Sequence, residues 1–398
     1  MKILLVNKFL YPKGGSETYV FRLGETLQKM GHEVEYFGME HKDNVIGNRI
    51  GVYSPNVDFS KGATKNLSAP FKVIYSSVAK KRMKKVLDNF QPDVIHFNNI
   101  QFHLTPSIIL AAQSYRRKSK KKVKLVYTAH DYQLVCPSHG LFDSQMNVCE
   151  KCLGGNYWYC VKSVCVKKSK LKSLLATADA YRWKYGRAYS YIDTIVCPSR
   201  FLKSKLDSQK RFSDKTVVLH NFIETKCVVA EKKENYVLEF GHLSKEKGTV
   251  TLLRAAKNMP DIRFVFAGFG EAVEAIADVP NAEYVGFKTG EELSELISKA
   301  SCSVCPSECY ENCPYSVIES QIYGTPVIGS DMGGIPELIR EGETGLLFEA
   351  GNVSDLEDKL KSLLYFPEKL SAFTENCRNT FFETPETYYE KLVRIYED

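Results

Sequence analysis

Short runs of consecutive apolar residues recur along the first half of the chain, at 3–6, 33–37, 93–97, 123–128 and 194–198, with helical patterns between several of them. Runs of this kind, alternating with helices, predict a parallel sheet wrapped by helices. The second half repeats the pattern with runs at 236–240, 264–266, 284–288, 302–305 and 327–328. Residues 75–90 place Val78, Met83, Val86, Leu87 and Phe90 on one helical face. Lys80, Lys81, Arg82, Lys84 and Lys85 fall largely on the other, which makes an amphipathic basic helix. Further helices are expected near 105–112, over 171–191 (rich in Ala, Leu and Tyr) and over 388–396. The polar run 231–235 reads as the linker between two α/β halves.

Composition narrows this picture. A chain of 398 residues with 44% hydrophobic and 25% charged residues is ordinary for two globular domains. No apolar run approaches the ~20 residues of a membrane span. The opening MKILLV reads as a first strand and not as a secretory leader, so a cytoplasmic setting is expected. The twelve cysteines are then expected as thiols or metal ligands more than as disulfides. The net charge of +7 hides an asymmetry: residues 1–220 hold 37 Lys and Arg against 16 Asp and Glu, whereas residues 221–398 hold 17 against 31. The first half is therefore expected to face something anionic, and the two halves to attract each other across a cleft.

The candidate chemistry concentrates in residues 302–338. A buried strand ends at Pro306 and Ser307, a polar loop carries Glu308 and Glu311, and Pro314 is expected to open a helix bearing Glu319. A helix start offers N–H groups and partial positive charge to an anion. Gly324-Thr325-Pro326 closes that helix, and Gly333-Gly334 forms a second turn with bare backbone. Elsewhere Gly14-Gly15 follows the first strand, His130-Asp131 follows the strand at 123–128, and Gly241-His242-Leu243-Ser244-Lys245-Glu246-Lys247-Gly248 follows the strand at 236–240. Each lies just beyond a strand, where open α/β sheets bind ligands.

Glu311 and Glu319 with seven residues between them, PS before the first, G-T-P-V and then G-G after the second, resemble the donor site of family 4 retaining glycosyltransferases of the bacterial polysaccharide type. The resemblance implies the α/β GT-B fold: two Rossmann-like domains whose parallel sheets face each other across a cleft. It implies an acceptor-side domain over 1–220, a donor domain over 221–384, a hinge near 220–223 and a C-terminal helix (385–398) returning to the first domain. It also implies a hexosyltransferase-like enzyme moving sugar from a UDP- or GDP-sugar to a glycan or lipid-linked acceptor in cell-surface polysaccharide synthesis.

In that reading Glu311 binds sugar hydroxyls, Glu319 ribose hydroxyls and Lys247 the diphosphate. Asn312, Cys313, Pro314 and Tyr315 meet the donor at the helix start, and Phe287 lies near the base. Gly14 and Gly15 face the phosphates and the acceptor, and His130 contacts the sugar. His96 and His103 read as structural. No catalytic metal or cofactor is required. The family's arginine is replaced by His242, which removes a permanent bidentate cation from the diphosphate contact.

Three features stand beside this reading. Cys149-x2-Cys152 and Cys160-x4-Cys165, in a Cys-rich insertion at about 136–165, have spacing for a structural zinc or for unligated thiols. The basic helix at 75–90, the run at 116–122 and Lys167, Lys168, Lys170 and Lys172 point to peripheral contact with an anionic membrane, at its inner face, more than to nucleic acid. The alternatives are a nucleotide-sugar epimerase or hydrolase of the same fold, or a non-catalytic, zinc-stabilised binding protein.

Overall fold

The computed structural model describes residues 1–56, 74–224 and 232–398. The chain forms two compact units, Met1–His220 with Pro385–Asp398, and Asn221–Thr384. Among the described residues no helix is long and apolar enough to cross a membrane.

The first unit is built on a six-stranded parallel sheet of β1 (Lys2–Val6), β2 (Glu33–Phe37), β3 (Val94–Phe97), β4 (Lys124–Thr128), β5 (Thr194–Cys197) and β6 (Thr216–Val218), in the order β2-β1-β3-β4-β5-β6. Ile3 pairs with Val34 on one side and Val94 on the other. Helices α1 (Gly15–Lys29), α2 (Ser77–Phe90), α3 (Ser107–Lys118), α4 (Trp158–Lys162), α5 (Lys170–Tyr185), α6 (Arg200–Asp207) and α7 (Lys210–Ser213) follow in chain order. The apolar face of α2 is Ala79, Met83, Val86, Leu87 and Phe90. Val78, expected on that face, is exposed because Ser76 caps the helix by accepting the Ala79 N–H, which turns Ala79 inward. Half of the basic run at 116–122 is tied down. Arg116 makes two bonds to Asp193 (3.0 and 2.8 Å), and Lys121 and Lys122 bond to Asp93 and to the C-terminal backbone.

The second unit repeats the architecture with β7 (Glu234–His242), β8 (Arg263–Phe269), β9 (Ala282–Tyr284), β10 (Ala300–Cys305), β11 (Val327–Ser330) and β12 (Gly345–Phe348), in the order β12-β11-β10-β7-β8-β9 and all parallel. Its helices are α8 (Thr249–Asn258), α9 (Gly290–Lys299), α10 (Tyr315–Ile322), α11 (Val353–Leu364) and α12 (Pro367–Arg378). The expected strand at 284–288 is in fact β9, which ends at Tyr284. Glu234 and Asn235 of the expected linker are already part of β7, and Glu231 lies outside the described residues.

The last helix, α13 (Pro385–Glu397), belongs to the first unit. Tyr388 bonds to Tyr19 of α1 (2.7 Å), and Tyr396 bonds to His96 Nδ1 of β3 (2.7 Å). The other ring nitrogen of His96 is 2.7 Å from Thr128 Oγ1. His96 is thus a buried packing residue whose pKa burial pushes down to about 3.

Candidate active site

In the second sheet the strand order reverses between β7 and β10, since chain connections lead away from β7 on both sides. At such a switch point the loops leaving the two carboxyl ends diverge and open a crevice. The residues singled out in the sequence converge there. The loop after β7 carries Lys247, and the loop after β10 carries Glu311. Lys247 Nζ donates to Glu311 Oε1 at 2.6 Å, and Ser307 Oγ donates to the same oxygen at 2.8 Å. Burial works against the Lys247 charge, but the Glu311 carboxylate beside it, with smaller support from Cys309, holds its pKa above the ordinary lysine value.

Two glycines make this packing possible. Gly248, at φ +79° and directly before α8, lies so close to Pro306 that a Cβ would stand 1.9 Å from the Pro306 carbonyl oxygen. Gly333, at φ +65°, lies on the Glu311 backbone, where a Cβ would be 2.3 Å from its carbonyl oxygen. The next residue, Gly334, donates its N–H to that oxygen at 2.7 Å. The glycine turns therefore hold the Lys247 and Glu311 loops at backbone contact. Glu308 is committed elsewhere, accepting from Thr251 Oγ1 of α8 at 2.6 Å.

Helix α10 begins at Tyr315. Pro314, expected inside its first turn, is instead the capping residue, with extended backbone (φ −66°, ψ 125°). Proline suits that position because its missing N–H costs the helix nothing there. Cys313 is buried, and Asn221 donates its side-chain N–H to the Cys313 carbonyl at 3.0 Å. Glu319 is half-buried on α10, whose inner side is Val317, Ile318, Ser320 and Gln321.

His242 is exposed and meets the Phe269 ring edge-on at 5.4 Å, and Phe269 meets Phe287 at 5.5 Å. Phe269 and Phe287 are more than half exposed, so the three rings form an aromatic ledge at the ends of β7 and β8. Beneath the Lys247 loop lies Glu239 of β7. It is buried and accepts from Thr249 Oγ1 at 2.8 Å through one oxygen, while the other oxygen has no partner. Burial raises its pKa from 4.5 to about 8.

In the first unit the order reverses between β1 and β3. Gly14 precedes α1 with an extended backbone (φ −174°), and Gly15 is the first residue of that helix. His130, beyond β4, donates Nε2–H to Asn98 Oδ1 beyond β3 at 2.9 Å, and its ring meets Tyr19 at 5.0 Å. Burial pushes its pKa down to about 4. Asp131 accepts the Gln133 N–H at 2.9 Å and lies 3.6 Å from His139, an arrangement that orders the loop.

In the Cys-rich insertion Cys152 and Cys160 are buried with Tyr157, and Cys165 packs against them. All are free thiols, and burial pushes Cys152 up to about 12. Among the described residues no three His, Cys, Asp or Glu side chains are grouped to hold a metal ion.

Sequence reasoning passed over Asn98 and Glu239. The PS motif flagged Ser307 by type, but nothing in the sequence joined it to Glu311.

Residues 13–226 match the family described as Glycosyltransferase Family 4, and residues 223–380 match that described as Glycosyl transferases group 1. An uncharacterized glycosyltransferase of Methanocaldococcus jannaschii is 28% identical over 228 residues, which span 55% of this chain and 62% of that protein, under two thirds of its length. An uncharacterized 42.6 kDa protein in the cps region of Klebsiella pneumoniae is 23% identical over 363 residues, 85% of this chain and 88% of that one. Among solved structures, HepE of Anabaena in complex with UDP superposes with a TM-score of 0.66 at 15% identity, covering 100% of both chains.

Proposed function

The chain belongs to glycosyltransferase family 4 and has the GT-B fold, and on that premise we propose that it moves a hexose from a nucleotide-sugar to a glycan or lipid-linked glycan with retention of anomeric configuration. The observation that carries this reading is the Lys247–Glu311 pair at the switch point of the second sheet. A departing nucleoside diphosphate gathers negative charge, and a half-buried ammonium at that crevice suits it. Glu311 holds Lys247 in place until a donor arrives. The diphosphate then becomes the lysine's partner, and Glu311 is released to accept sugar hydroxyls. Glu319 accepts the ribose hydroxyls, and residues 312–315 present the α10 start to the donor.

The ledge of His242, Phe269 and Phe287 suits the flat face of a nucleobase. UDP bound in HepE supports a uridine nucleotide. In the first unit His130 and the Gly14-Gly15 turn are assigned to sugar and acceptor recognition.

Transfer breaks the bond from the anomeric carbon to the phosphate oxygen while the acceptor oxygen bonds to that carbon on the same face. The acceptor proton passes to the leaving phosphate, so the scheme uses no metal ion. The relative from the cps region supports a place in polysaccharide synthesis, and the basic first unit supports peripheral contact with an anionic membrane.

Calorimetric titration of UDP, GDP and ADP into the wild type and Lys247→Ala tests this. One nucleotide is expected to bind, and the variant to lose about tenfold or more in affinity. Absence of binding by the wild type points to a non-catalytic scaffold and overturns the reading. Incubating the matching nucleotide-sugar with and without acceptor separates transfer from hydrolysis or epimerisation.

A further inference from the structure

Helix α5 buries one side and carries an apolar stripe on the other. Its inner side, including Ser173, Ala176, Thr177 and Trp183, is buried. Its outer side carries Leu171, Leu174, Leu175 and Ala178 at the spacing of a single helical stripe. Leu171 is 67% exposed and Leu174 43% exposed. An apolar stripe along a helix normally faces a core, yet this outer stripe has no core to join among the described residues.

Helix α4 repeats this on a smaller scale. Cys160 is turned inward, while Trp158 is 48% exposed and Tyr159 37% exposed. The two helices form one element. Thr177 Oγ1 donates to the Tyr157 carbonyl at 3.2 Å, Val166 donates its N–H to Ser173 Oγ at 3.0 Å, and the Tyr157 and Tyr181 rings lie 5.3 Å apart.

The exposed charge around this element has one sign, since the carboxylate within α5, Asp179, is buried and accepts the Trp183 indole N–H. Residues 151–178 hold six lysines and no carboxylate. Lys162, Lys167, Lys168, Lys170 and Lys172 are exposed and have no ion-pair partner among the described residues. The run at 116–122 is partly neutralised, Arg116 by Asp193 and Lys121 by Asp93, and carries no comparable exposed apolar stripe.

We propose that the α4–α5 element is an anchor on anionic lipid bilayers, with Trp158, Leu171 and Leu174 entering the headgroup–acyl boundary and the surrounding lysines meeting lipid phosphates. Aliphatic side chains, an amphipathic indole and long cationic side chains have their preferred environments stacked in that order across a membrane interface. A second copy of the chain does not fit the patch, since it would bring six lysines against six. A soluble glycan would stack on the rings but gain nothing from the leucine stripe. The inference deepens the membrane contact proposed above. Its test uses neither donor nor acceptor, so a failure here leaves the transferase reading standing.

The chain has two tryptophans, and only Trp158 is exposed, Trp183 being buried. The full chain is mixed with phosphatidylcholine vesicles containing about one-third phosphatidylglycerol. The expected results are co-sedimentation, a blue shift of tryptophan emission and quenching by brominated acyl chains, all lost on pure phosphatidylcholine. Trp158→Phe is expected to abolish the spectral change. Leu171→Glu combined with Leu174→Glu is expected to weaken vesicle binding about tenfold or more while keeping the circular dichroism spectrum. If that pair misfolds, Leu171→Ser with Leu174→Ser replaces it. Three results each overturn the proposal: no binding by the wild type, undiminished binding by the folded leucine variant, or light scattering that shows a dimer dissociated by the leucine substitutions.

Discussion

Glu239→Gln isolates the carboxyl buried beneath the Lys247 loop. In an unfolded chain this group ionises near 4.5, and in the fold burial delays ionisation to about 8. A carboxyl raised in this way costs nothing below pH 4.5, where it is neutral in both states. Between 4.5 and 8 the unfolded chain ionises and the fold does not, so stability falls as pH rises, and above 8 the loss is complete. At ~1.4 kcal/mol per pH unit the ceiling on that loss is about 5 kcal/mol. Glutamine keeps the acceptor for Thr249 Oγ1 but places an amide where the other oxygen has no partner, at a cost of about 1–3 kcal/mol that does not depend on pH.

The informative quantity is therefore how the difference between variant and wild type changes with pH. It is expected to move by about 2–4 kcal/mol in favour of the variant between pH 5 and pH 8. Lys233, lowered to about 8 by burial, titrates at the upper edge of that window, but it is common to both proteins and cancels from their difference. Both tryptophans lie in the first unit, so amide hydrogen exchange of β7 and β8 is the appropriate probe. A difference that stays constant from pH 5 to pH 8 would show that Glu239 is ionised in the fold and that the burial argument is wrong.

Other consequences can be measured alongside. Glu311→Ala is expected to lower transfer about a hundredfold or more with amide protection of the second unit intact; full activity would remove the central assignment. Gly248→Ala should destabilise the second unit by about 2–4 kcal/mol, because its Cβ would collide with the Pro306 backbone; an unchanged melting curve would contradict the close packing. The first unit should lose about 1–3 kcal/mol between pH 7 and pH 5. His96, His103 and His130 are depressed by burial to about 3, 4 and 4, so the unfolded chain takes up protons below 6.5 that the fold refuses. Asp179, raised to about 7, opposes them but is outnumbered. Tryptophan-detected unfolding that strengthens on acidification would refute the sign.

The central strands were legible because parallel strands covered on both faces must be continuously apolar, as at 3–6 and 302–305. Strands β6 and β12 escaped because they are short and close the sheet edges, where Thr216 and Gly345 leave too brief a signal. Tyr284 to Lys288 misled because an apolar run that ends a strand looks like the strand itself. At the site, Lys247, Glu311 and the glycine turns stood out because local spacing and bare backbone are sequence properties. Ser307 on Glu311, Asn98 on His130 and the meeting of His242, Phe269 and Phe287 are products of tertiary contact between separate loops, and no periodicity encodes them. The exposed stripe on α5 was hidden for the opposite reason: Leu171, Leu174 and Leu175 look like core until the fold shows that the buried side of the helix is the other one.

The return of α13 to the first unit has a consequence for biosynthesis. Residues 221–384 form one uninterrupted unit, whereas the first unit is built from two separate stretches, Met1–His220 and Pro385–Asp398. The first unit, although made earlier, must wait with His96 and Tyr19 uncapped until Tyr396 and Tyr388 emerge. The earlier-made part is thus completed only when the later-made helix docks, and a chain stalled before residue 385 would present it unfinished, a target for chaperones.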